Sequence, residues 1–69
     1  MSDLDEQKAK VKKLSARAMQ LKMDLHDLSE ELPLNWQLIP TLAQETHDAF
    51  AELEQARDDL KSLQQADAE

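Results

Sequence analysis

The sequence contains no cysteine, no glycine and no tyrosine, and it has only two prolines, one tryptophan and one phenylalanine in 69 residues. Without cysteine, the chain has neither a disulfide framework nor a thiolate metal site, a composition that fits a reducing compartment. The lack of glycine and of aromatic residues disfavours hairpin turns and strands. No apolar run approaches the ~20 residues of a membrane span, and the start MSDLDEQ lacks the features of a signal peptide. We therefore expect one helical domain, residues 1–69, in the cytoplasm.

Patterns that carry catalytic chemistry are also missing. The sequence has no cysteine nucleophile, no glycine-rich phosphate loop, no nucleophile elbow and no HExxH metal motif. Its carboxylates are numerous, yet nothing predicts a cleft that would shift their pKa values. We expect no enzymatic activity, no catalytic residue and no cofactor.

The charge of the chain is acidic and unevenly distributed. A net charge of −7 argues against a nucleic-acid partner, because that affinity comes mainly from neutralising phosphates. Residues 8–22 carry six basic side chains and no acidic one, whereas residues 23–54 carry eight acidic side chains and no lysine or arginine. A basic segment is therefore followed by a longer acidic one.

Heptad spacing is the main structural signal in both halves of the chain, with residues recurring at alternating intervals of three and four. The first stripe is Leu4, Gln7, Val11, Leu14, Ala18, Leu21, Leu25, Leu28 and Leu32, and the second is Leu42, Thr46, Ala49, Leu53, Ala56, Leu60 and Leu63. Each stripe is apolar apart from Gln7 in the first and Thr46 in the second. Two helices that pack along a shared seam follow from this pattern.

Two prolines separate the stripes. Pro33 disfavours helical geometry at the residue before it, and Pro40 restarts the chain ahead of a capping-box pattern formed by Thr41 and Gln44. The predicted elements are helix one over about 3–31, a turn over 32–41 and helix two over about 42–65.

So short a connection makes the two helices antiparallel neighbours. Pairing the stripes symmetrically about the turn sets Ala18 near Ala56 and brings Arg17 beside Asp59. A hairpin of this size has little core of its own. We therefore expect an all-α antiparallel two-helix hairpin that dimerises into a four-helix bundle.

Residues outside the stripes separate onto two flanks of the hairpin. The acidic flank consists of Asp24, Asp27, Glu31, Glu45, Asp48 and Glu52. The Met/His/Phe flank consists of Met19, Lys22, His26, Ala43, His47 and Phe50, with Met23 on its back edge. The acidic flank is either a solvated face or a docking surface for a basic patch. The Met/His/Phe flank packs either on a second copy or on a different protein, for which methionine is well suited.

The two histidines are nearly equidistant from the centre of the turn, which predicts similar heights on one flank. With Glu30 four residues after His26, His26 and His47 form a weak candidate site for nickel, iron or zinc, and adventitious capture of such an ion is the alternative. Either histidine is alternatively a candidate for making association depend on pH.

The turn PLNWQLIP holds the sole tryptophan. We expect Trp36 to close the end of the bundle as a lid. The alternative is an anchor for a partner, since tryptophan is enriched at interface hot spots. Asn35 is a candidate cap for a short helical turn.

A family resemblance rests on KMDLHDLSEELP at residues 22–33, on Trp36, and on IPTLAQETHDAFAELEQ at residues 39–55. Over Lys12 to Leu63 the chain resembles a small family of Rop-like helical hairpins of unknown biochemical function, which are encoded in nitrogen-fixation gene clusters. One departure is the Glu30-Glu31 pair, where glycine is expected in many members, so helix one ends without a glycine cap.

The resemblance implies a non-enzymatic accessory protein of nitrogen fixation that binds a nitrogenase component or a nitrogenase cofactor-assembly protein. It also implies the hairpin fold and dimerisation, whereas RNA binding by Rop itself does not carry over to this acidic surface. The predicted interaction residues are Met19, Met23, His26, Trp36, His47 and Phe50. Two alternatives stay open: a nickel, iron or zinc carrier or sensor that uses the histidines, and a structural homodimer without a client.

Overall fold

A computed structural model describes residues 2–67 as two long helices joined by a tight connection. Helix α1 spans Asp3–Glu31, a short 3₁₀-helix spans Trp36–Leu38, and helix α2 spans Ile39–Asp67. The helices lie side by side and antiparallel. The predicted all-α hairpin is confirmed, and the four-helix dimer stays a prediction. No helix in the described residues is long and apolar enough to cross a membrane.

The start of α1 is capped by a side chain. Ser2 has extended backbone geometry, and its hydroxyl accepts a 3.2 Å hydrogen bond from the backbone amide of Asp5. Asp3, Asp5 and Glu6 lie in the first turn, where negative charge interacts favourably with the helix dipole. Local interactions therefore stabilise the start of α1.

The end of α1 is set by Pro33, which restricts the residue before it. Leu32 leaves the helix with φ −55° and ψ 140°, as expected for a residue before proline. The left-handed residue that glycine would usually provide comes later, at Asn35, with φ 59° and ψ 25°. Asparagine is one of the few other residues that adopt this conformation readily.

Helix α2 begins at Ile39, three residues before the predicted start. A proline fits the first turn of a helix because its missing N–H has no intrahelical partner there, so Pro40 does not have to precede the helix. Thr41 consequently lies inside the first turn. The Gln44 amide donates a 2.8 Å hydrogen bond to Asp48 instead of forming the predicted capping box.

The seam follows the heptad stripes. Its buried residues are Ala18, Leu21, Leu28, Ala49, Leu53 and Ala56. Every other described stripe position is partly buried except Leu32, which is 40% exposed. Val11, Leu14 and Leu42 pack against the central cluster of Ala18, Leu21, Ala49 and Leu53. Small residues alternate with leucines, which lets the two helices approach closely.

One side-chain hydrogen bond identifies the register of the two helices. The Gln7 amide donates a 3.0 Å hydrogen bond to the carbonyl of Ala56. A glutamine side chain reaches only about 5 Å, or roughly three residues of helical rise, so Ala56 is level with the neighbourhood of Gln7 and not with Ala18. The predicted pairing of Ala18 with Ala56 is wrong. Part of the reason is that α2 starts earlier than predicted. Each residue of α2 therefore lies further from the turn than the symmetric pairing assumes.

The predicted ion pair between Arg17 and Asp59 is lost with that register. Within the described part of the chain, the only close ionic contacts involve histidines. Lys10 instead borders a shallow cleft together with Glu52 and Asp59. The basic segment of α1 therefore still faces carboxylates of α2, but through Lys10, which lies about two helical turns before Arg17.

Candidate functional site

Large apolar side chains remain exposed at two places once the seam is filled. On the Met/His/Phe flank, Met19, Met23 and Phe50 are 49%, 60% and 38% exposed. At the connection, which we call the tip (residues 32–39), the exposed residues are Leu32, Leu34, Trp36, Leu38 and Ile39. Because the seam leaves both sets uncovered, they are the candidate interaction surfaces.

Trp36 does not close the bundle. Its side chain is 59% exposed, so the lid prediction is wrong. Trp36 begins a 3₁₀-helix that leads directly into α2, while Leu28 and Leu42 occupy the seam near this end. The indole is therefore not part of the hairpin interior, and its role as a partner anchor stays a prediction.

The tip is more apolar at its surface than the sequence patterns indicated. Leu34 and Leu38, at 68% and 54% exposure, were not among the predicted interaction residues. The sequence does contain a feature that indicates their exposure: both residues lie between the two prolines and outside either heptad stripe. An apolar residue that belongs to no stripe has no place in the seam.

The acidic flank is exposed except at Asp24, which is partly buried. Its carboxylates interact mainly along their own helices: the Gln20 amide donates to Asp24 at 3.0 Å, and the Gln44 amide donates to Asp48 at 2.8 Å. The hydrogen bond from His47, followed by that from Gln44, holds the pKa of Asp48 below its ordinary value. Apart from Asp24, the carboxylates of the acidic flank therefore face solvent.

Among residues 2–67, the ionic contacts of the two histidine side chains are with carboxylates of their own helices. His26 Nε2 lies 3.5 Å from Glu30 and its Nδ1 lies 3.8 Å from Asp27, while His47 Nδ1 lies 3.2 Å from Asp48. No group of three or more histidine, cysteine or acidic residues within residues 2–67 is arranged to hold a metal ion.

The register also separates the histidines along the hairpin. Ala56 is level with the neighbourhood of Gln7, so His47, nine residues earlier in α2, is level with the middle of α1. His26 therefore lies nearer the tip than His47, by about 9 Å or more along the hairpin. The predicted equal height is wrong, and the metal role of this pair stays a prediction.

Comparisons with known proteins place the chain among small helical hairpins. The model of the Rop-like family matches residues 2–65. A UPF0437 protein of Azorhizobium caulinodans is 56% identical over 64 residues, which cover 93% of each chain. A UPF0437 protein of Trichormus variabilis is 47% identical over 57 residues, covering 83% of this chain and 66% of that relative.

A third relative is described by its genomic position. The UPF0437 protein in the nifX-nifW intergenic region of Frankia alni is 46% identical over 44 residues, which cover 64% of this chain and 54% of the relative. No solved structure matches the chain.

Proposed function

Because this chain belongs to the Rop-like family, we propose that it is a non-enzymatic accessory protein of nitrogen fixation that binds a nitrogenase component or a nitrogenase cofactor-assembly protein. The position of the Frankia alni relative between nifX and nifW supports the link to nitrogen fixation. Binding, in this proposal, uses exposed side chains of the Met/His/Phe flank and the tip, with the acidic flank beside them.

The observation that carries a binding role is the distribution of apolar surface. A hairpin that needed only to fold would bury its large apolar residues in the seam, yet eight large apolar side chains of the described residues are at least 38% exposed. Contiguous exposed apolar surface on a small protein is typical of an interface. Methionine and tryptophan among these residues favour protein partners.

A non-catalytic role is supported by the polarity of the interior. The described residues include no buried polar or charged side chain, and Asp48, whose pKa is lowered, is exposed. A catalytic acid or base usually needs a sheltered environment that shifts its pKa toward the working pH.

The cytoplasm is the compartment that this proposal implies.

Affinity capture tests the proposal. Tagged protein is incubated with lysate of nitrogen-fixing cells, and the nitrogenase components or assembly proteins that it recovers are purified and titrated against it by calorimetry. We expect specific binding that is lost when Met23→Asp, Trp36→Asp and Phe50→Asp are combined. The control combines Ala9→Asp, Ser62→Asp and Gln64→Asp, which add the same number of charges at exposed positions at least ten residues along the chain from either apolar surface. Binding that survives the triple variant contradicts the proposal.

The two alternatives give different results in the same preparation. A structural homodimer recovers only its own copies and has no client. A metal carrier binds nickel, iron or zinc in calorimetry, and binding that His26→Ala leaves unchanged excludes the histidine site.

A further inference from the structure

The tip differs from the other apolar surface in being one continuous segment at the end of the molecule. Leu34, Trp36 and Leu38 are each more than half exposed and occur at alternate positions. Phe50 lies eleven residues further along α2 than Ile39, a distance of about 16 Å. Phe50 and the tip are therefore separate parts of the surface, although Ala43 and His47 of the Met/His/Phe flank lie nearer the tip.

Backbone hydrogen bonds also order the tip. The Leu34 amide donates a 3.0 Å hydrogen bond to the Glu31 carbonyl, and the Leu38 amide donates a 2.9 Å hydrogen bond to the Asn35 carbonyl. Asn35 between them has a positive φ, a conformation that is concentrated at functional segments. Exposed apolar side chains on a backbone that is already ordered lose little conformational entropy when they bind.

Negative charge surrounds this apolar segment. Glu30 and Glu31 lie in the last turn of α1, where the helix dipole is also negative and no basic residue compensates. On the other side, Glu45 lines a shallow cleft of about 200 Å³ together with Leu38, Thr41 and Leu42. The nearest cationic side chains in the sequence are Lys22 and Arg57. A partner that covers the tip must bring positive charge of its own.

We infer that the tip is the element that docks on the client: Trp36 and Leu38 enter an apolar pocket of a partner protein whose rim carries lysine or arginine, opposite Glu31 and Glu45. This inference rests on the proposed function and names the chemistry of the client surface. The charge complementarity sets the orientation and speeds encounter, while the indole supplies most of the affinity.

In-cell photo-crosslinking tests which surface touches the client. Benzoylphenylalanine replaces Trp36 in one variant and Phe50 in another, nitrogen-fixing cells are irradiated, and the crosslinked peptides are identified by mass spectrometry. We expect position 36 to capture one defined peptide of a nitrogenase component or assembly protein, with lysine or arginine near the crosslinked residue. Capture of the client through position 50 alone overturns the inference and leaves the proposed function intact.

Titration of the captured client measures the contribution of each part. Trp36→Ala is expected to weaken binding by roughly thirtyfold or more, as for a buried aromatic anchor. Reversing the charges with Glu31→Lys and Glu45→Lys is expected to weaken it by about tenfold at low salt. The matched control, Glu54→Lys with Asp58→Lys, makes the same change of charge far from the tip and is expected to alter binding by less than about twofold.

The remaining outcomes also decide the question. If Trp36→Ala binds as tightly as the wild type, or if position 36 crosslinks only to a second copy of the chain, the tip is not the client-docking element. If neither position captures a nitrogenase component or assembly protein, and the wild type binds none in calorimetry, the proposed function itself fails. Circular dichroism of each variant separates loss of binding from loss of the helices.

Discussion

The seam and the tip contain the same kinds of apolar residue in opposite environments. Leu53 in the seam is 3% exposed, whereas Leu34 in the tip is 68% exposed. Leu53 belongs to a heptad stripe and is covered by the facing helix. Leu34 lies between the two prolines and has no facing helix to cover it. The difference shows that periodicity, and not hydrophobicity alone, decides which residues this small chain buries.

Truncating one leucine from each region should show the difference between the seam and the tip most strongly. Leu53→Ala removes a buried side chain and is expected to lower the free energy of unfolding by about 2–5 kcal/mol, whereas Leu34→Ala should change it by less than about 0.5 kcal/mol. Urea denaturation followed by circular dichroism measures both. Equal effects of the two substitutions would mean that the tip is packed in solution, against this chain or a second copy.

Repeating the denaturation over a range of protein concentrations adds a test of dimerisation. Stability that rises with concentration indicates that unfolding is coupled to dissociation of a dimer. A midpoint that does not depend on concentration argues against the four-helix bundle in the range measured.

Enlarging a small seam residue should have the next largest effect. Ala18 is fully buried, so Ala18→Leu forces the two helices apart and is expected to cost about 1–3 kcal/mol. Ala16→Leu makes the same change two residues away on the exposed surface, where it should have little effect. Tolerance of leucine at position 18 would contradict the close approach of the helices around this layer.

The fold was predictable from the sequence because heptad spacing acts locally. The stripes identified the buried positions, and Pro33 correctly marked the end of α1. The register was not predictable in the same way: shifting one helix by a heptad leaves every stripe residue in the seam. The choice depends on where α2 starts and on contacts between the helices, such as the hydrogen bond from Gln7 to Ala56, which no local pattern encodes.

The candidate site was predictable only in part. Residues off the stripes were correctly separated from the seam, so Met19, Met23 and Phe50 are exposed as expected. The lid interpretation of Trp36 is wrong because the direction of the connecting backbone leaves the indole 59% exposed, while its interpretation as an anchor stays a prediction. That direction depends on Leu32 and Asn35, whose conformations follow from the whole connection.

A substitution at Asn35 sharpens the view of the tip as an ordered segment. Asn35→Ala places at positive φ a residue that adopts this conformation less readily than asparagine and is expected to cost about 1 kcal/mol, while Asn35→Gly should be neutral or slightly stabilising. Thermal unfolding of the two variants gives the comparison. If alanine and glycine behave alike, the left-handed conformation is not maintained in solution.

The smallest expected effect is a dependence of stability on pH. It arises on the acidic flank and not in the seam or at the tip. The pKa of Asp48 is lowered mainly by the hydrogen bond from His47, at 3.2 Å, and then by that from Gln44. A carboxyl whose pKa is lower in the folded state stabilises the fold above its unfolded pKa, and this contribution is lost as the pH falls through the folded value. Because Asp48 is exposed, the change in overall stability should be slight.

Carboxyl titration by nuclear magnetic resonance measures this pKa directly. His47→Ala should raise the pKa of Asp48 toward its ordinary value, and Gln44→Ala should raise it by less, because the histidine makes the larger contribution. His26→Ala, which removes the other histidine, should leave it unchanged. If His47→Ala has no effect, the side chains of His47 and Asp48 are not hydrogen-bonded in solution. His47 would then be free to contact a partner without first breaking an interaction on its own helix.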